Sequence, residues 1–290
     1  MNKSKQGLLM VIISSVVFGV MPAAVTLCKS YGATSSLLML SRYFILGVAI
    51  APLALRQKDT WRLFRQNFWK LGLVSVLGGG TPLLLYAAYR YLATSVTTTI
   101  HFLYPTVVVV MCVVLFREKL SKRKALCLVL CCVGMLLMLD MKGQKLDPIG
   151  LLLALLSSVT WAGYIVLLDK LDLHGATKEQ TLFQLEINGF VLMLLYGGAV
   201  GELNVTMPLE GWLVLAAAAF VMSVFGTLMF VYGVRYTGAQ VSAIASTLEP
   251  IVSILVGVVF LREPLTVATG IGSAMILVSV FLVSMEDAGS

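Results

Sequence analysis

Four ionisable side chains interrupt long apolar stretches of this 290-residue sequence, namely Arg42, His101, Glu186 and Glu249. Such a group is costly to bury unless it is paired, so an ionisable residue inside an apolar stretch is a candidate functional residue. Two acids, an imidazole and a guanidinium have the chemistry to bind a charged organic molecule and to exchange protons with it. The sequence contains no group of residues with metal-ligand spacing, so we expect neither a metal nor a cofactor.

Glu249 is the most central of the four within its apolar stretch. Ser242, Ser246 and Ser253 recur with it at three- and four-residue steps, so on a helix they share one polar face. Burying a lone carboxylate is costly, and a positively charged ligand offsets that cost. We expect Glu249 and Ser246 to bind substrate, and Glu249 to exchange a proton for a cation or an amine. The alternative is that a protonated Glu249 only stabilises a bent helix.

Aromatic residues accompany these groups. His101 precedes Tyr104 by one helical turn, and its imidazole suits either a proton relay or a hydrogen-bonded packing role. Tyr86, Trp161 and Tyr164 add aromatic faces that can hold apolar groups or a cation. We expect all five to contribute to substrate binding, with His101 also in proton coupling. Anchoring at the membrane interface is the alternative for Tyr86, Trp161 and Tyr164.

The elements that must position these residues are membrane-spanning helices. Hydrophobic residues make up 59% of the chain and charged residues 12%, whereas about one quarter is charged in soluble domains. About 20 apolar residues cross a bilayer, and ten such runs can be counted: 7–28, 35–55, 68–90, 94–116, 122–140, 148–170, 181–201, 211–234, 239–261 and 266–285. Segments in lipid must satisfy their backbone internally, and strand alternation is absent, so we expect an all-α integral membrane protein.

The segment 56–70 is the longest connection between these runs. It places Trp61, Phe64 and Phe68 at helical spacing among basic residues. This pattern is typical of a short helix that lies in the membrane interface.

The net charge of +7 is explained by membrane orientation better than by nucleic acid. Most Lys and Arg residues fall in segments on the same side as the N-terminus, and cytoplasmic loops collect these residues. We therefore expect a multi-pass protein of the inner or plasma membrane with both termini in the cytoplasm. Its expected partners are the lipid bilayer and a small-molecule substrate, with no nucleic acid, and the chain is expected to be a monomer or a homodimer.

Arg42 and Glu186 are predicted to lie at different depths in the membrane. Arg42 falls about three residues outward of the centre of its span and Glu186 about five inward, which separates them by ~12 Å along the normal. The sequence therefore predicts no direct ion pair between them. Arg42 either binds a substrate carboxylate or donates to nearby carbonyls.

The sequence contains an internal repeat. Residues 91–120 align without gaps over residues 236–265, which matches Pro105 with Pro250 and Glu118 with Glu263, and places His101 and Tyr104 opposite Ser246 and Glu249. Two five-span halves, residues 1–145 and 146–290, are implied. Because five is odd, the second half must enter the membrane from the opposite side. Two inverted five-helix repeats around a central cavity are typical of secondary transporters.

With these motifs the chain resembles the drug/metabolite transporter superfamily, in its EamA-type ten-helix branch. The resemblance covers nearly the whole chain and rests on the P-x10-F/L-R-E-x-L ends of both repeats, on Leu248-Glu249-Pro250 and on Ser41-Arg42-Tyr43-Phe44. It implies two inverted five-helix halves, and a central cavity lined mainly by helices 1 to 4 and 6 to 9. It also implies peripheral helices 5 and 10, and export of small metabolites by alternating access.

Prolines and glycines predict broken helices near mid-membrane. Pro105 and Pro250 each remove a helical hydrogen bond near the centre of a span, which bends the helix and frees the carbonyl four residues earlier. The run 78–82 and the pair Gly19 and Pro22 predict similar interruptions in spans 3 and 1. Broken helices point to a binding site, so we expect Pro105 and Pro250 to act in gating. Simple packing is the alternative.

Two glutamates at span ends are further gating candidates. Glu118 and Glu263 each follow an arginine directly. Ion pairs there can form on one side of the membrane and break on the other during transport. A solvated loop charge is the alternative for both.

The predicted function is secondary active transport. The chain lacks a G-x-x-x-x-G-K-[ST] nucleotide site, so the energy must come from a gradient, by proton coupling or exchange. A single central arginine favours a small zwitterion or amine over a phosphorylated molecule. Export of amino acids or related amines is the first hypothesis, and efflux of drug-like or quaternary cations is the alternative. A membrane-embedded enzyme or a channel is less consistent with the motifs, and we expect no enzymatic activity.

Overall fold

The structure, a computed structural model, describes residues 3–92, 94–138, 147–173, 175–203, 205–261 and 266–287. Within these ranges every regular element is helical. The elements are α1 (Lys3–Ser30), α2 (Ser35–Leu55), α3 (Thr60–Ala88), α4 (Thr94–His101), α5 (Tyr104–Phe116), α6 (Lys122–Met138), α7 (Pro148–Lys170), α8 (Lys178–Ala199), α9 (Leu209–Val221), a π-helical segment (Met222–Leu228), α10 (Met229–Thr237), α11 (Ala239–Ala245), α12 (Leu248–Leu261) and α13 (Val267–Asp287).

Eight stretches in the described part of the chain are long and apolar enough to cross a membrane. They are Lys3–Met21, Ser35–Leu55, Thr60–Leu85, Val96–Phe116, Pro148–Lys170, Lys178–Ala199, Leu209–Thr237 and Ala239–Val256. The other two predicted spans coincide with α6 and with α13, whose apolar part, Gly270–Val283, is shorter. The protein is therefore an all-helical, multi-pass membrane protein.

Two of the spans are broken where the prolines predict a change. One break separates α4 from α5 at residues 102–103, and the other separates α11 from α12 at residues 246–247. Pro105 and Pro250 stand in the first turn of the helix that follows each break, where proline has no helical hydrogen bond to lose. The prolines thus begin new helices.

One detail of the proline prediction was wrong. The carbonyl of Ser246 is not left free, because it accepts a hydrogen bond from the backbone N–H of Glu249 at 3.0 Å. A hydrogen bond between residues three apart is that of a 3₁₀ turn. It satisfies the carbonyl of Ser246, to which Pro250 cannot donate because proline has no N–H. A similar bond joins the N–H of Leu103 to the carbonyl of Ile100 at the other break.

Three predicted irregularities are absent from the helices that the structure describes. Helix α3 runs without interruption from Thr60 through the glycine run and Pro82, so residues 56–70 do not form a separate interfacial helix. Helix α1 likewise continues through Gly19 and Pro22. The glycines instead allow close packing, since a Cβ on Gly78 would lie 2.8 Å from the ring of Tyr164 and one on Gly19 would lie 2.7 Å from the carbonyl oxygen of Glu249.

The π-helical segment is a feature that the sequence analysis missed. It interrupts the span Leu209–Thr237 between α9 and α10. The ring of Phe18 lies against Gly226 here, where a Cβ would come within 2.7 Å of the ring. Segments of this kind are rare and occur often at functional sites.

The helices of the N-terminal half pack mainly against helices of the C-terminal half. Helix α1 contacts α10, the π-helical segment and α12, whereas α7 contacts α3 and α5. Helix α2 contacts α8, α5 contacts α11, and α6 contacts α13. The helices that carry the ionisable residues therefore meet around the centre of the bundle, while α6 and α13 form a pair.

The bundle has two ends, which we name by the course of α1. At the proximal end, where α1 begins, Gly7 packs against Tyr236 at the end of α10. At the distal end, where α1 finishes, Ser36 of α2 donates a hydrogen bond to the carboxylate of Glu202 after α8, and Gly150 of α7 packs against Leu92.

A capping box begins α8 at the proximal end. The hydroxyl of Thr177 accepts from the N–H of Gln180 at 3.2 Å, and the side-chain oxygen of Gln180 accepts from the N–H of Thr177 at 2.9 Å. We expect Thr177→Ala to lower the free energy of unfolding by about 0.5–2 kcal/mol, because an N–H of the first turn loses its acceptor. Thermal or denaturant unfolding of the purified protein measures this, and Thr177→Ser, which keeps the hydroxyl, should behave like the wild type.

Candidate functional site

A cavity of about 180 Å³ lies at the centre of the bundle. Its lining comes from both halves of the chain and includes all four ionisable residues that the sequence analysis singled out. The lining residues are Phe18, Met21, Met39, Arg42, Tyr43, Ser75, Gly78, Gly79, Thr81, Pro82, Leu85, His101, Trp161, Tyr164, Leu185, Glu186, Gly189, Thr227, Phe230 and Glu249. The cavity is therefore mainly apolar and aromatic with a few ionisable groups, as is typical of small-molecule sites.

Three aromatic rings form one wall, which we call the aromatic stack (Trp161, Tyr164 and Phe230). Trp161 stacks on Tyr164 with ring centroids 5.0 Å apart, and on Phe230 with centroids 5.6 Å apart. Trp161 and Tyr164 were predicted site residues. Phe230 was missed, because no polar neighbour or repeat position sets it apart from the other phenylalanines of the sequence.

Arg42 keeps hydrogen-bonding capacity toward the cavity. Its guanidinium donates to the hydroxyl of Thr227 at 3.0 Å, approaches the sulfur of Met39 at 3.4 Å and lies 5.4 Å from the ring centre of Phe18. In the described part of the chain its Nε has no hydrogen-bond partner. None of the side-chain hydrogen bonds found for Arg42 goes to a carbonyl, which was one of its two predicted roles.

Glu186 and Glu249 line the cavity from different helices. Within the described ranges, no hydrogen bond or ion pair joins either carboxylate to another side chain. The Cβ of Glu186 would lie 3.6 Å from a Cβ on Gly47 of α2. Gly47 is five residues from Arg42, so Glu186 and Arg42 differ in depth by about 7.5 Å at the rise of an α-helix, less than the sequence estimate.

His101 lines the cavity and is also hydrogen-bonded within the bundle. Its ring lines the cavity, and its Nδ1 is within 3.1 Å of the hydroxyl oxygen of Ser157 on α7. Tyr104 lies next to it with ring centroids 5.6 Å apart, and is fully buried outside the cavity lining. His101 is thus held by packing and a hydrogen bond while one face meets the cavity.

The remaining predicted residues lie elsewhere. Ser246 is buried at the break before α12, where its hydroxyl donates to the carbonyl of Ser242 at 2.8 Å, and it is not among the lining residues. Pro105 and Pro250 stand beside the helix breaks and also do not line the cavity. The side chain of Tyr86 and the whole of Glu263 lie outside the part of the chain that the structure describes.

Glu118 belongs to a polar cluster at the proximal end, which we call the proximal network (Glu118, Asp169, Lys170 and Gln240). Lys170 forms an ion pair with Glu118 and another, at 2.7 Å, with Asp169. The amide of Gln240 donates to Glu118 at 2.6 Å, and Asp169 accepts from the N–H of Ala239 at 3.1 Å. The network joins the ends of α5 and α7 to the start of α11.

The proximal network should weaken in acid. Burial raises the pKa of Glu118. The hydrogen bond and the positive charge of Lys170 lower the pKa by more than burial raises it, so the pKa of Glu118 lies below its ordinary value. Stability from such a carboxylate is present above the ordinary pKa of about 4.3, and is lost as the pH falls through the lowered value. We expect acidification to lower the melting temperature of the wild type more than that of Glu118→Gln. Thermal unfolding at neutral pH and at a series of values from roughly pH 5 down to pH 3 tests this, with the exposed Glu210→Gln as the control, which should follow the wild type.

A multi-pass helical bundle around a central cavity lined by ionisable groups is an architecture that many membrane transporters share. The chain belongs to the EamA-like transporter family, whose model matches residues 5–140 and again residues 148–285. This places it within the drug/metabolite transporter superfamily, in agreement with the resemblance found in the sequence.

Individual relatives are distant. The chain is 25% identical over 227 residues to Protein PecM of Dickeya dadantii, covering 77% of this chain and 73% of that protein. It is 24% identical over 278 residues to an uncharacterised transporter of Archaeoglobus fulgidus, covering 95% of each. A solved crystal structure superposes with a TM-score of 0.79 over 100% of this chain and 99% of the other, at 18% identity. That likeness shows the fold alone.

Proposed function

We propose that this protein is a secondary active transporter that exports small zwitterionic metabolites, such as amino acids or related amines, by alternating access. The observation that carries the proposal is the set of ionisable groups in the cavity. Two carboxyl groups and one guanidinium face a common space, and a zwitterion offers an ammonium to the former and a carboxylate to the latter. Aromatic faces beside them suit an apolar or cationic side chain.

The size of the cavity favours this substrate class over the alternative. Pockets for drug-sized ligands usually enclose about 300–1,000 Å³, whereas this cavity encloses about 180 Å³. Efflux of bulky or quaternary cations would need a larger space, so we rank it second.

Two inverted repeats are the architecture that we propose for the transport cycle. The two ranges matched by the family model and the packing of equivalent helices support it, since α1 with α10 and α7 with α3 are the same pair once the halves are exchanged. The two broken helices occupy equivalent places as well. The halves then rock about a site near mid-membrane, as in other transporters built from inverted repeats.

The conformation is best explained as closed at the proximal end. Between the aromatic stack and that end lie fully or nearly fully buried apolar residues from several helices, among them Val11, Leu168, Val234 and Val241. The proximal network lies on the same side. We propose that this end faces the cytoplasm, in keeping with the positive charge of its loops, and that Glu118 takes part in its gate.

Proton coupling is proposed for Glu249. It meets the same cavity as Arg42 and His101, and no partner for its carboxylate was found in the described ranges. A carboxyl group in this position can carry a proton in one direction and a substrate ammonium in the other, because one binding site cannot hold both at once.

Counterflow in proteoliposomes tests the proposed function. Amino acid loaded inside should accelerate uptake of the labelled amino acid from outside, and the uptake should saturate. Flux that rises in proportion to concentration, without saturation or counterflow, would indicate a channel. Conversion of the amino acid to another compound would indicate an enzyme. A thermal-shift screen with amino acids, amines and nucleosides identifies the ligand to use, since binding to the folded state raises the melting temperature.

A further inference from the structure

We infer that Glu186 is a second substrate-binding acid, and that Glu186, Glu249 and Arg42 together select amino acids that carry an additional cationic group. The inference rests on the proposed function and narrows its substrate class to diamino acids. The sequence alone shows Glu186 as an ionisable residue within an apolar stretch and predicts no binding role for it.

The environment of Glu186 differs from that of the other polar residues on the same helix. Gln180 donates to the carbonyl of Lys58 at 3.3 Å, and Gln184 donates to the carbonyl of Phe64 at 3.2 Å, so both fasten α8 to the start of α3. Glu186 instead lines the cavity, although only 4% of its surface is exposed. In the described part of the chain no donor reaches its carboxylate. A buried carboxylate needs such a partner, and a ligand in the cavity can supply it.

The surroundings of Glu186 suit a cation. Tyr43 packs against Gly189, which is one turn from Glu186 on α8, and both lining tyrosines of this region, Tyr43 and Tyr164, share the cavity with Phe230. An ammonium group beside a carboxylate and several aromatic faces gains from both kinds of contact. Among the described residues, the guanidinium of Arg42 and the carboxylate of Glu186 form no ion pair.

The vertical order of the groups matches the order of charges in a diamino acid. Arg42 lies beside Phe18, and the backbone of Glu249 packs on the neighbouring Gly19, so Arg42 and Glu249 occupy one level of the cavity. Glu186 lies nearer the proximal end, about 7.5 Å along α2 from Arg42. The α-carboxylate and α-ammonium of an amino acid fit beside Arg42 and Glu249. A second ammonium several bonds away fits beside Glu186.

The count of charges leads to the same class. When both carboxyl groups are ionised against bound cations, they and the guanidinium of Arg42 leave one negative charge, and an ordinary zwitterionic amino acid leaves one of the two carboxyl groups without a charged partner. A molecule with two ammonium groups and one carboxylate neutralises this negative charge completely. Buried charges are tolerated when each one is paired, so the complete set of pairs favours this ligand.

Binding of lysine and norleucine to the purified, full-length protein tests the inference. Norleucine has the same carbon chain as lysine and lacks only the terminal ammonium. We expect the wild type to bind lysine about tenfold or more tightly than norleucine, as a charge-assisted hydrogen bond provides. In Glu186→Gln the affinity for lysine should fall to that for norleucine, while the affinity for norleucine stays the same. Glu210→Gln, at an exposed position, is the matched control.

Each other outcome has a distinct meaning. Equal affinities for lysine and norleucine in the wild type would overturn the inference and leave amino acid transport standing. Equal losses for both ligands in Glu186→Gln would show that Glu186 acts only in the structure. If neither amino acid binds to the wild type, the proposed substrate class is wrong and the inference falls with it. The comparison in the wild type needs no variant, so it decides the question even if Glu186→Gln does not fold.

Discussion

Replacing Glu249 with Gln is expected to abolish the pH dependence of transport while leaving folded protein in the membrane. The amide keeps the size and most of the hydrogen-bonding capacity of the acid, but it can neither release a proton nor bind an ammonium as a charged partner. Loss of a charge-assisted hydrogen bond of about 1.5–3 kcal/mol reduces substrate affinity by roughly tenfold or more. Uptake into proteoliposomes with and without a pH gradient measures both effects.

The control for this experiment is Glu210→Gln. Glu210 is an exposed acid in the first turn of α9, away from the cavity lining. This variant should respond to the pH gradient like the wild type. Proton coupling that persists at full strength in Glu249→Gln would rule out Glu249 as the coupling group and would leave it a structural acid beside the break between α11 and α12.

Replacing Gly233 with Leu is expected to force the proximal end open and to destabilise the fold. A Cβ on Gly233 would lie 2.5 Å from a methyl group of Val11, 3.0 Å from the carbonyl oxygen of Gly7 and 3.2 Å from the backbone nitrogen of Val11. Backbone atoms cannot rotate away, so α1 and α10 must separate. Overpacking of this kind costs about 1–3 kcal/mol, sometimes more.

Two measurements test the effect of Gly233→Leu. The melting temperature should fall, and a cysteine placed at the buried position Leu168 should react faster with a membrane-impermeant maleimide. Gly72→Leu is the matched control, because a Cβ at Gly72 would meet no atom within 4 Å apart from its chain neighbours and the backbone of its own helical turn. An unchanged melting temperature together with unchanged labelling would show that the contact between α1 and α10 does not hold this end closed.

The sequence predicts the helices and the broken spans because both follow from local chemistry. Apolar composition determines which segments enter lipid, and proline beyond the first turn removes a helical hydrogen bond and favours a bend or a break. Pro105 and Pro250 therefore mark the two breaks correctly. The run 78–82 and Gly19 carry the same kind of signal but fail, because here glycine allows a neighbouring ring or backbone to approach, and only the tertiary structure reveals that neighbour.

The candidate site could be predicted only in part. Charged groups within lipid are rare, which made Arg42, His101 and Glu249 visible in the sequence. Phe230 and Thr227 share the cavity with them but have ordinary neighbours, and their positions depend on the π-helical segment, for which the sequence contains no clear signal. The separation in depth between Arg42 and Glu186 is smaller than the sequence predicts, because hydropathy alone does not fix the residue at which a helix begins or ends.

Helix α6, which packs against α13, contacts both broken spans through two adjacent thiols. The sulfur of Cys131 lies 3.3 Å from the hydroxyl of Thr247 at one break, and the sulfur of Cys132 lies 3.0 Å from the hydroxyl of Thr106 beside the other. Consecutive residues on a helix are separated by a rise of only 1.5 Å. Any sliding of α6 along its axis therefore moves both thiols together. Neither broken span can shift alone without losing its contact with α6.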